Sequence, residues 1–253
     1  MKRFLALYAG VAYAFLYLPL AVLGAFSFNA SNIAVWHGFT LHWYRGVFNN
    51  PALLDGTLNS LVIAFTATAV ATVLGTLAGY ALWKKRVPWL TNSLYLSLLS
   101  PEIVTGVSLL AFFEWAFRFG RIQLGMHTVI LAHISFSLVY VVIVILARLR
   151  TFDPALEEAA LDLGANEWQA FRYVTMPMLL PGIVAAALLC FTVSFDDYVI
   201  TSLVAGVNSE TLPMIIYAMA RKGISPEVNA LSVLITCGLG VLILVAGRLE
   251  KRA

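Results

Sequence analysis

NSLVIAFTATAVATVLGTLAGYALW, residues 59–83, is a run of 25 residues without one charged side chain. A helix of about 20 apolar residues crosses a bilayer core roughly 30 Å thick, so this run is long enough to span. Five further runs share its character: Leu5–Phe28, about Thr91–Trp115, Ile122–Ala147, Met178 to about Ile200, and Val228–Gly247. In lipid every backbone polar group needs an internal partner, so only helices or a closed barrel can cross. These runs are too long and too uniformly apolar for the alternating strands of a barrel. The expected fold class is all-α: a polytopic membrane protein with six transmembrane helices in a single domain, residues 1–253.

Composition agrees. Of 253 residues, 61% are apolar and 11% charged, against about 25% charged in an ordinary soluble domain. A soluble single-core enzyme, a disordered chain and a disulfide scaffold are excluded. The net charge of +3 is too small to argue for nucleic acid. Cys190 and Cys237 lie inside apolar runs and read as small hydrophobes.

The basic residues set the orientation. With the N-terminus in the cytoplasm, Lys2, Arg3, Lys84, Lys85, Arg86, Arg148, Arg150, Arg172, Arg248, Lys251 and Arg252 are inside. Arg45, Arg118, Arg121, Arg221 and Lys222 are outside. Both termini are therefore expected in the cytoplasm. The first run exceeds the apolar core of a signal peptide and is expected to be retained. External residues 29–58 carry Trp36, Trp43 and Tyr44, readable as an interfacial belt or as a docking surface for an external partner. External residues 201–227 hold a short apolar run, Leu212–Ala220.

Residues 148–177 form the one sizeable cytoplasmic loop. Asp153-Pro154 reads as a helix start. Ala155–Leu163 makes about two turns, Gly164 stops them, and Asn166 caps a second short helix running towards Thr175. Pro177 then enters the fifth span. Glu157, Glu158, Asp162 and Glu167 alternate with Ala159, Ala160, Leu161, Leu163, Trp168 and Phe171. Apolar knobs in a charged rim suit a protein-docking surface. Acidic residues argue against a helix lying on anionic lipid.

Glu158-Ala159-Ala160, three residues, Gly164, nine residues and Val174-Thr175-Met176-Pro177 resemble the EAA loop of ATP-binding-cassette importer permeases. Val174 and Met176 replace the usual Ile and Leu with spacing intact. The resemblance extends over nearly the whole chain and is greatest to the spermidine/putrescine importer permease subunits. It is carried by Gly38-Phe39-Thr40 with Trp43-Tyr44, Ser100-Pro101-Glu102-Ile103-Val104, Ser194-Phe195-Asp196-Asp197 and Ser225-Pro226-Glu227-Val228-Asn229-Ala230. It implies a type I importer permease fold in a bacterial inner membrane. It also implies a second, similar permease, two ATPase subunits docked on the EAA loops, and a periplasmic binding protein. Glu158, Ala159, Ala160, Asp162, Gly164 and Pro177 would then couple the chain to the ATPases. No G-x-x-x-x-G-K-[ST] occurs, so no P-loop can form here. The chain is expected to be no enzyme and to hold no cofactor; ATP and Mg would be bound by the partner ATPases.

Glu102, Asp196 and Asp197 lie within apolar runs that contain no basic residue at comparable depth. A carboxylate at the bilayer centre costs about 2.5–3.5 kcal/mol on insertion scales, so such groups face a bundle interior or a wet cavity. On the fifth span Ala187, Cys190, Ser194, Asp197 and Thr201 recur at helical spacing, beside Phe191, Phe195 and Tyr198. Asp197 and Ser194 are expected to line the path, with Phe195 or Tyr198 contacting the methylene chain of a polyamine. The rival reading of the small stripe is a helix-packing face. Glu114 is expected at the interface, and His133 as a hydrogen-bonded packing residue. The four histidines lack metal-ligand spacing, and no Ser-His-Asp arrangement or CxxC is visible. Alternatives are a permease of the same class for an amino acid, anion or metal complex, an ion-coupled carrier or channel, and a non-transporting scaffold.

Overall fold

The computed structural model describes residues 2–31, 35–118, 120, 123–222 and 226–250. In chain order the helices are α1 Lys2–Phe26, α2 His42–Asn49, α3 Pro51–Lys85, α4 Pro88–Leu99, α5 Glu102–Phe117, α6 Met126–Leu149, α7 Ala155–Asp162, α8 Glu167–Ala170, α9 Met176–Asp196, α10 Val199–Val204, α11 Leu212–Lys222 and α12 Pro226–Glu250. A π-helical stretch, Phe171–Thr175, joins α8 to α9. Among the described residues the β-structure is one isolated bridge, Asn29 with Phe39.

Four segments are long and apolar enough to cross a membrane: Phe4–Phe26, Pro51–Lys85, Met126–Leu149 and Glu167–Asp196. The pair α4–α5 makes a fifth if counted as one bent span. α12 stands where the sixth was expected. The fourth begins at Met126; its expected start, Ile122, lies outside the described residues, as do Ser225 of the resemblance and the basic residues Arg121, Lys251 and Arg252.

Two boundaries correct the sequence reading, and a third follows from it. The third span is broken into two helices, bent by 109°, at Pro101, a residue that kinks or breaks a helix. Pro101 is the cause: it lacks an N–H, and its ring forces Ser100 out of the helical region, to φ −68° and ψ 131°. The fifth span begins at Glu167, not Met178, and ends at Asp196, with α10 a separate helix. The second short helix of the 148–177 loop is therefore the first turn of a 30-residue rod. Pro177 sits inside that rod, and the π stretch just before it, where Met176 N–H bonds to the Phe171 carbonyl, widens the turn that Pro177 would otherwise strain. Finally, residues 29–58 are not loop throughout, because α2 and the start of α3 occupy much of them.

Contacts group the chain into two compact units, Met1–Asp55 with Ile215–Val245, and Gly56–Met214 with Ala246–Ala253. In the first, Asn29 organises the turn after α1. Its amide donates to the Val35 carbonyl (2.8 Å) and its oxygen accepts from the His37 N–H (3.0 Å). The Trp43 indole donates to the Asn29 carbonyl at 2.8 Å, and the Tyr44 and Ser27 hydroxyls bond at 2.7 Å. Trp43 and Tyr44 thus have their polar ends tied into the fold, while Trp36 is half exposed.

The second unit is built on α3, α6 and α9. Ala64, Ala67, Ala71, Gly75 and Gly79 recur at helical spacing on α3 and are buried. Side chains of lipid-facing helices gain little by leaving lipid, so small residues that allow close backbone approach hold helices together. A Cβ on Gly75 would lie 2.7 Å from Val141 of α6, and one on Gly79 would lie 2.8 Å from Ile145. α9 packs its own row, Leu179, Ala186 and Cys190, into the same cluster.

Gly75→Ala should destabilise the chain by about 1–3 kcal/mol, the usual cost of overpacking. Gly10→Ala, where an added Cβ meets nothing within 4 Å, should be neutral or slightly stabilising. Thermal unfolding of both variants in one detergent measures the difference.

Candidate functional site: a cavity between two helix breaks

The break between α4 and α5 and the break between α9 and α10 line one cavity of about 820 Å³. Ser100, Glu102 and Thr105 come from the first break; Asp196, Asp197 and Tyr198 come from the second. Ser135, Phe136 and Tyr140 of α6 form another wall. Among the described residues no Lys, Arg or His lines it. The volume falls in the range of small-molecule sites, about 300–1,000 Å³.

Each break has a local cause. Glu102 opens α5 directly after Pro101, where a carboxylate is favoured by the helix dipole by about 0.3–1 kcal/mol. Asp196 is the last residue of α9, where the dipole opposes a carboxylate and favours a cation. Both are exposed to the cavity, and neither has a protein partner among the described residues. The negative ends of α4 and α9 point the same way chemically: free carbonyls at a helix C-terminus accept from cations.

Asp197 is different. Its Oδ2 accepts from the Thr201 N–H at 2.8 Å and the Thr201 hydroxyl at 2.7 Å; Oδ1 accepts from the Ile200 N–H at 3.4 Å. It therefore caps α10 with most of its carboxylate. Behind it sits His133, 1% exposed. The His133 Nδ1 lies 2.7 Å from Ser194 Oγ, and Nε2 lies 2.9 Å from Thr201 Oγ1. With the Thr201 hydroxyl proton given to Asp197, His133 Nε2–H is the donor to Thr201, and in a neutral ring Nδ1 accepts from Ser194. At the far end of α10 the buried Thr128 hydroxyl donates to the Val204 carbonyl at 2.7 Å. Gly106 admits the helix against α5: a Cβ there would lie 2.6 Å from Leu203.

The structure thus brings together Glu102, Asp196, Asp197 and Tyr198, and leaves out two expected partners. Ser194 and Phe195 are buried and turned into the protein. The row containing Cys190 and Ser194 faces α6, while Thr192, Val193 and Asp196 are the residues of α9 on the cavity. The expectation that no Ser-His-Asp arrangement exists is also corrected. Ser194, His133 and Asp197 do assemble, with His133 Nε2 3.6 Å from Asp197 Oδ2. Ser194 is 3% exposed, so no acyl group can reach its hydroxyl, and the cluster is a structural relay. His133 is hydrogen-bonded and packed, as expected. Phe136 and Tyr140 went unnoticed in the sequence, although their i, i+4 spacing on the fourth span was a usable signal. Glu114 is exposed, on a separate cavity with Arg118.

The 148–177 loop forms the second candidate site. Asp153 Oδ1 accepts from the Ala155 N–H at 3.0 Å to start α7. Gly164, at φ +92°, ends it in the left-handed region that favours glycine. Asn166 and Gln169 cap each other's backbone N–H, both at 2.9 Å. Glu158, Ala159, Asp162 and Gly164 are exposed, Ala160 is half-buried, and Leu163 and Trp168 stand out as apolar knobs. Phe171 was expected among the knobs and is instead buried, its ring 4.6 Å from that of Tyr80. Glu157 was expected on the charged rim, yet it is 2% exposed. Its Oε1 accepts from the Tyr80 hydroxyl at 2.6 Å and pairs with Lys84 Nζ at 2.7 Å. Adjacent residues point about 100° apart on a helix; with Glu158 facing out, Glu157 turns towards α3.

Comparison with known proteins places this geometry. The family described as "Binding-protein-dependent transport system inner membrane component" matches residues 71–252. The chain is 40% identical over 239 residues to the spermidine/putrescine transport system permease protein PotC of Haemophilus influenzae, covering 92% of this chain and 91% of that protein. It is 38% identical over 250 residues to the putrescine transport system permease protein PotI of Escherichia coli K12, covering 96% and 89%. A chain of the crystal structure of a bacterial ABC transporter involved in import of the acidic polysaccharide alginate matches with a TM-score of 0.76 at 17% identity, covering 99% of this chain and 96% of that one. At that identity the likeness concerns the fold alone, and it is the type I importer permease fold.

His133→Phe leaves the Ser194 and Thr201 hydroxyls without their buried partner and should destabilise the chain by about 2–4 kcal/mol. Asp196→Asn, which breaks no protein contact, should leave the unfolding temperature unchanged. Thermal unfolding in detergent tests both; equal losses would remove the distinction between the relay and the cavity acid.

Proposed function

The chain belongs to the family of inner-membrane components of binding-protein-dependent transport systems, and on that premise we propose that it is a permease subunit of an ATP-driven polyamine importer. One observation carries the cargo: Glu102 and Asp196 are exposed on the cavity, with Asp197 behind them in its lining, and among the described residues no basic side chain lines it. A polyamine needs carboxylates for its ammonium groups, aromatic faces such as Phe136, Tyr140 and Tyr198 for cation–π contact, and apolar walls for its methylenes. The names of the relatives at 38–40% identity point to the same cargo. An inside-negative potential adds about 2.3 kcal/mol per positive charge per 100 mV in the direction of uptake.

The chain supplies half of the path, and a second, similar permease supplies the other. Both termini are cytoplasmic, a periplasmic binding protein delivers the substrate, and two partner ATPase subunits bind ATP and Mg and hydrolyse the nucleotide. This chain holds no cofactor. Glu158, Ala159, Ala160, Asp162 and Gly164 dock on an ATPase, and Pro177 lies in the rod that leaves the docking loop. Closure of the ATPases moves α7. The movement passes into α3 through Glu157, Tyr80 and Lys84, and into the cavity along the rod Glu167–Asp196. Two states with different affinity for the substrate then alternate access.

ATPase activity of the complete complex in lipid, with its binding protein, should rise with putrescine or spermidine and not with amino acids or anions. Stimulation by another solute class alone would overturn the cargo. Asp196→Asn should lower polyamine-stimulated activity tenfold or more with assembly intact. Glu158→Lys should abolish assembly with the ATPase or uncouple hydrolysis from uptake, without altering the unfolding temperature of the isolated chain; normal coupled uptake would remove Glu158 from the docking surface.

A further inference from the structure

A second cavity, of about 570 Å³, lies where α3 turns into α4, beside the end of α6 and the start of α7. Arg86 and Arg150 both line it. Among the described residues neither has an acidic partner, whereas neighbouring Lys84 is engaged by Glu157. Arg86 adopts φ +44°, a left-handed position at the end of α3 where glycine is the usual residue, so an arginine is kept there against backbone preference. Thr91 and Asn92 of α4 add polar groups to one side. The apolar part of the lining includes Leu82, Trp83, Leu146 and Leu149, all from segments long enough to span the membrane.

We infer that this cavity binds the phosphate headgroup of an anionic phospholipid of the cytoplasmic leaflet, with Arg86 and Arg150 holding the phosphate and the apolar part of the lining receiving the upper acyl chain. The leaflet follows from the orientation proposed above; the cavity itself is separate from the transport path. Three features favour this occupant over a soluble anion or a protein carboxylate. Charge complementarity calls for an anion, because two unpaired guanidiniums share one recess. The recess lies at the ends of α3 and α6, two helices long and apolar enough to cross a membrane, and Arg side chains at the ends of spans sit at headgroup level. Basic recesses between spans on the cytoplasmic side suit such headgroups on general grounds. The exposed knobs of the docking loop, Leu163 and Trp168, lie on other residues, and Pro154 is the one residue of the loop beyond Phe152 that reaches the cavity. The site therefore flanks the hinge at which α7 leaves α6. Occupancy would tie the α3–α4 turn to the base of the coupling loop.

The test uses the full-length chain purified in detergent, with lipid retention read by native mass spectrometry. The probes are phosphatidylglycerol, phosphatidylcholine of the same acyl chains, and inorganic phosphate. Phosphatidylglycerol should bind the native chain at least tenfold more tightly than the R86Q/R150Q double variant. Phosphatidylcholine should bind both weakly and equally, and millimolar phosphate should not displace the lipid. Both arginines are exposed and unpaired, so the double variant should fold. Independently of it, a photo-cross-linking amino acid at Asn92 should capture phosphatidylglycerol in the otherwise native chain. Equal phosphatidylglycerol binding by native and double-variant chains overturns the inference, as does absence of the cross-link. Displacement by phosphate alone assigns the arginines to a soluble anion and also overturns it. Exclusion of the lipid from the assembled complex assigns them to a protein partner, with the same consequence. None of these readouts depends on whether polyamines stimulate the ATPase, so the two readings fail separately.

Discussion

Ser194, His133, Thr201 and Asp197 form one continuous chain of hydrogen bonds. The rest of the cavity depends on it. A helix that stops inside an apolar layer exposes carbonyls and N–H groups that lipid cannot satisfy. α9 stops at Asp196 and α10 starts at Val199, with two residues between them, so the protein must supply partners at that point. Asp197 takes the first free N–H groups of α10, His133 fixes the hydroxyl that Asp197 needs, and Ser194 fixes the ring. With the break held from behind, Asp196 and Tyr198 line the cavity.

The 148–177 loop uses the opposite device, continuity. Glu167–Asp196 is 30 residues long, about 45 Å at 1.5 Å per residue, and has α7 and its loop at one end and a cavity carboxylate at the other. A rod of that length converts a small tilt at its base into displacement at its tip. The π stretch at Phe171–Thr175 keeps the rod unbroken past Pro177. A buried ion pair seldom adds net stability, yet removing one member costs several kcal/mol. Glu157 with Lys84 and Tyr80 is therefore better understood as a registration device: it fixes which way α7 faces, and leaves Glu158 outward.

Much of this was legible in the residues. The apolar runs, the break at Pro101, the stop at Gly164 and the cap at Asn166 follow from local chemistry, because proline, glycine and asparagine act on their own turn of backbone. The acids were found because an ionisable group in an uncharged run has no cheap place to go. What stayed hidden was long-range. Ser194 looked like a path residue because helical spacing tells which residues share a face, not what that face meets; α6 covers it. Glu157 and Glu158 are identical in type, and the choice between them needed Tyr80 and Lys84, more than seventy residues earlier in the chain. The join of α8 to α9 was missed because Pro177 was taken as a boundary, when a π turn lets the helix run through it.

Placing the acids at helix breaks has an electrostatic logic that a carboxylate in mid-helix would lack. A charged group in the membrane is tolerated where water or a counter-ion reaches it. A break opens the bundle locally and brings helix termini, with their partial charges, to the same spot. At Glu102 the terminus stabilises the carboxylate, and at Asp196 it does the reverse. The cavity is therefore uneven: one acid is content when the site is empty, and the other gains most when a cation arrives. An elongated dication or trication, with an ammonium for each acid and methylenes for apolar lining such as Val139 and Val193, suits that difference better than a compact monovalent ion.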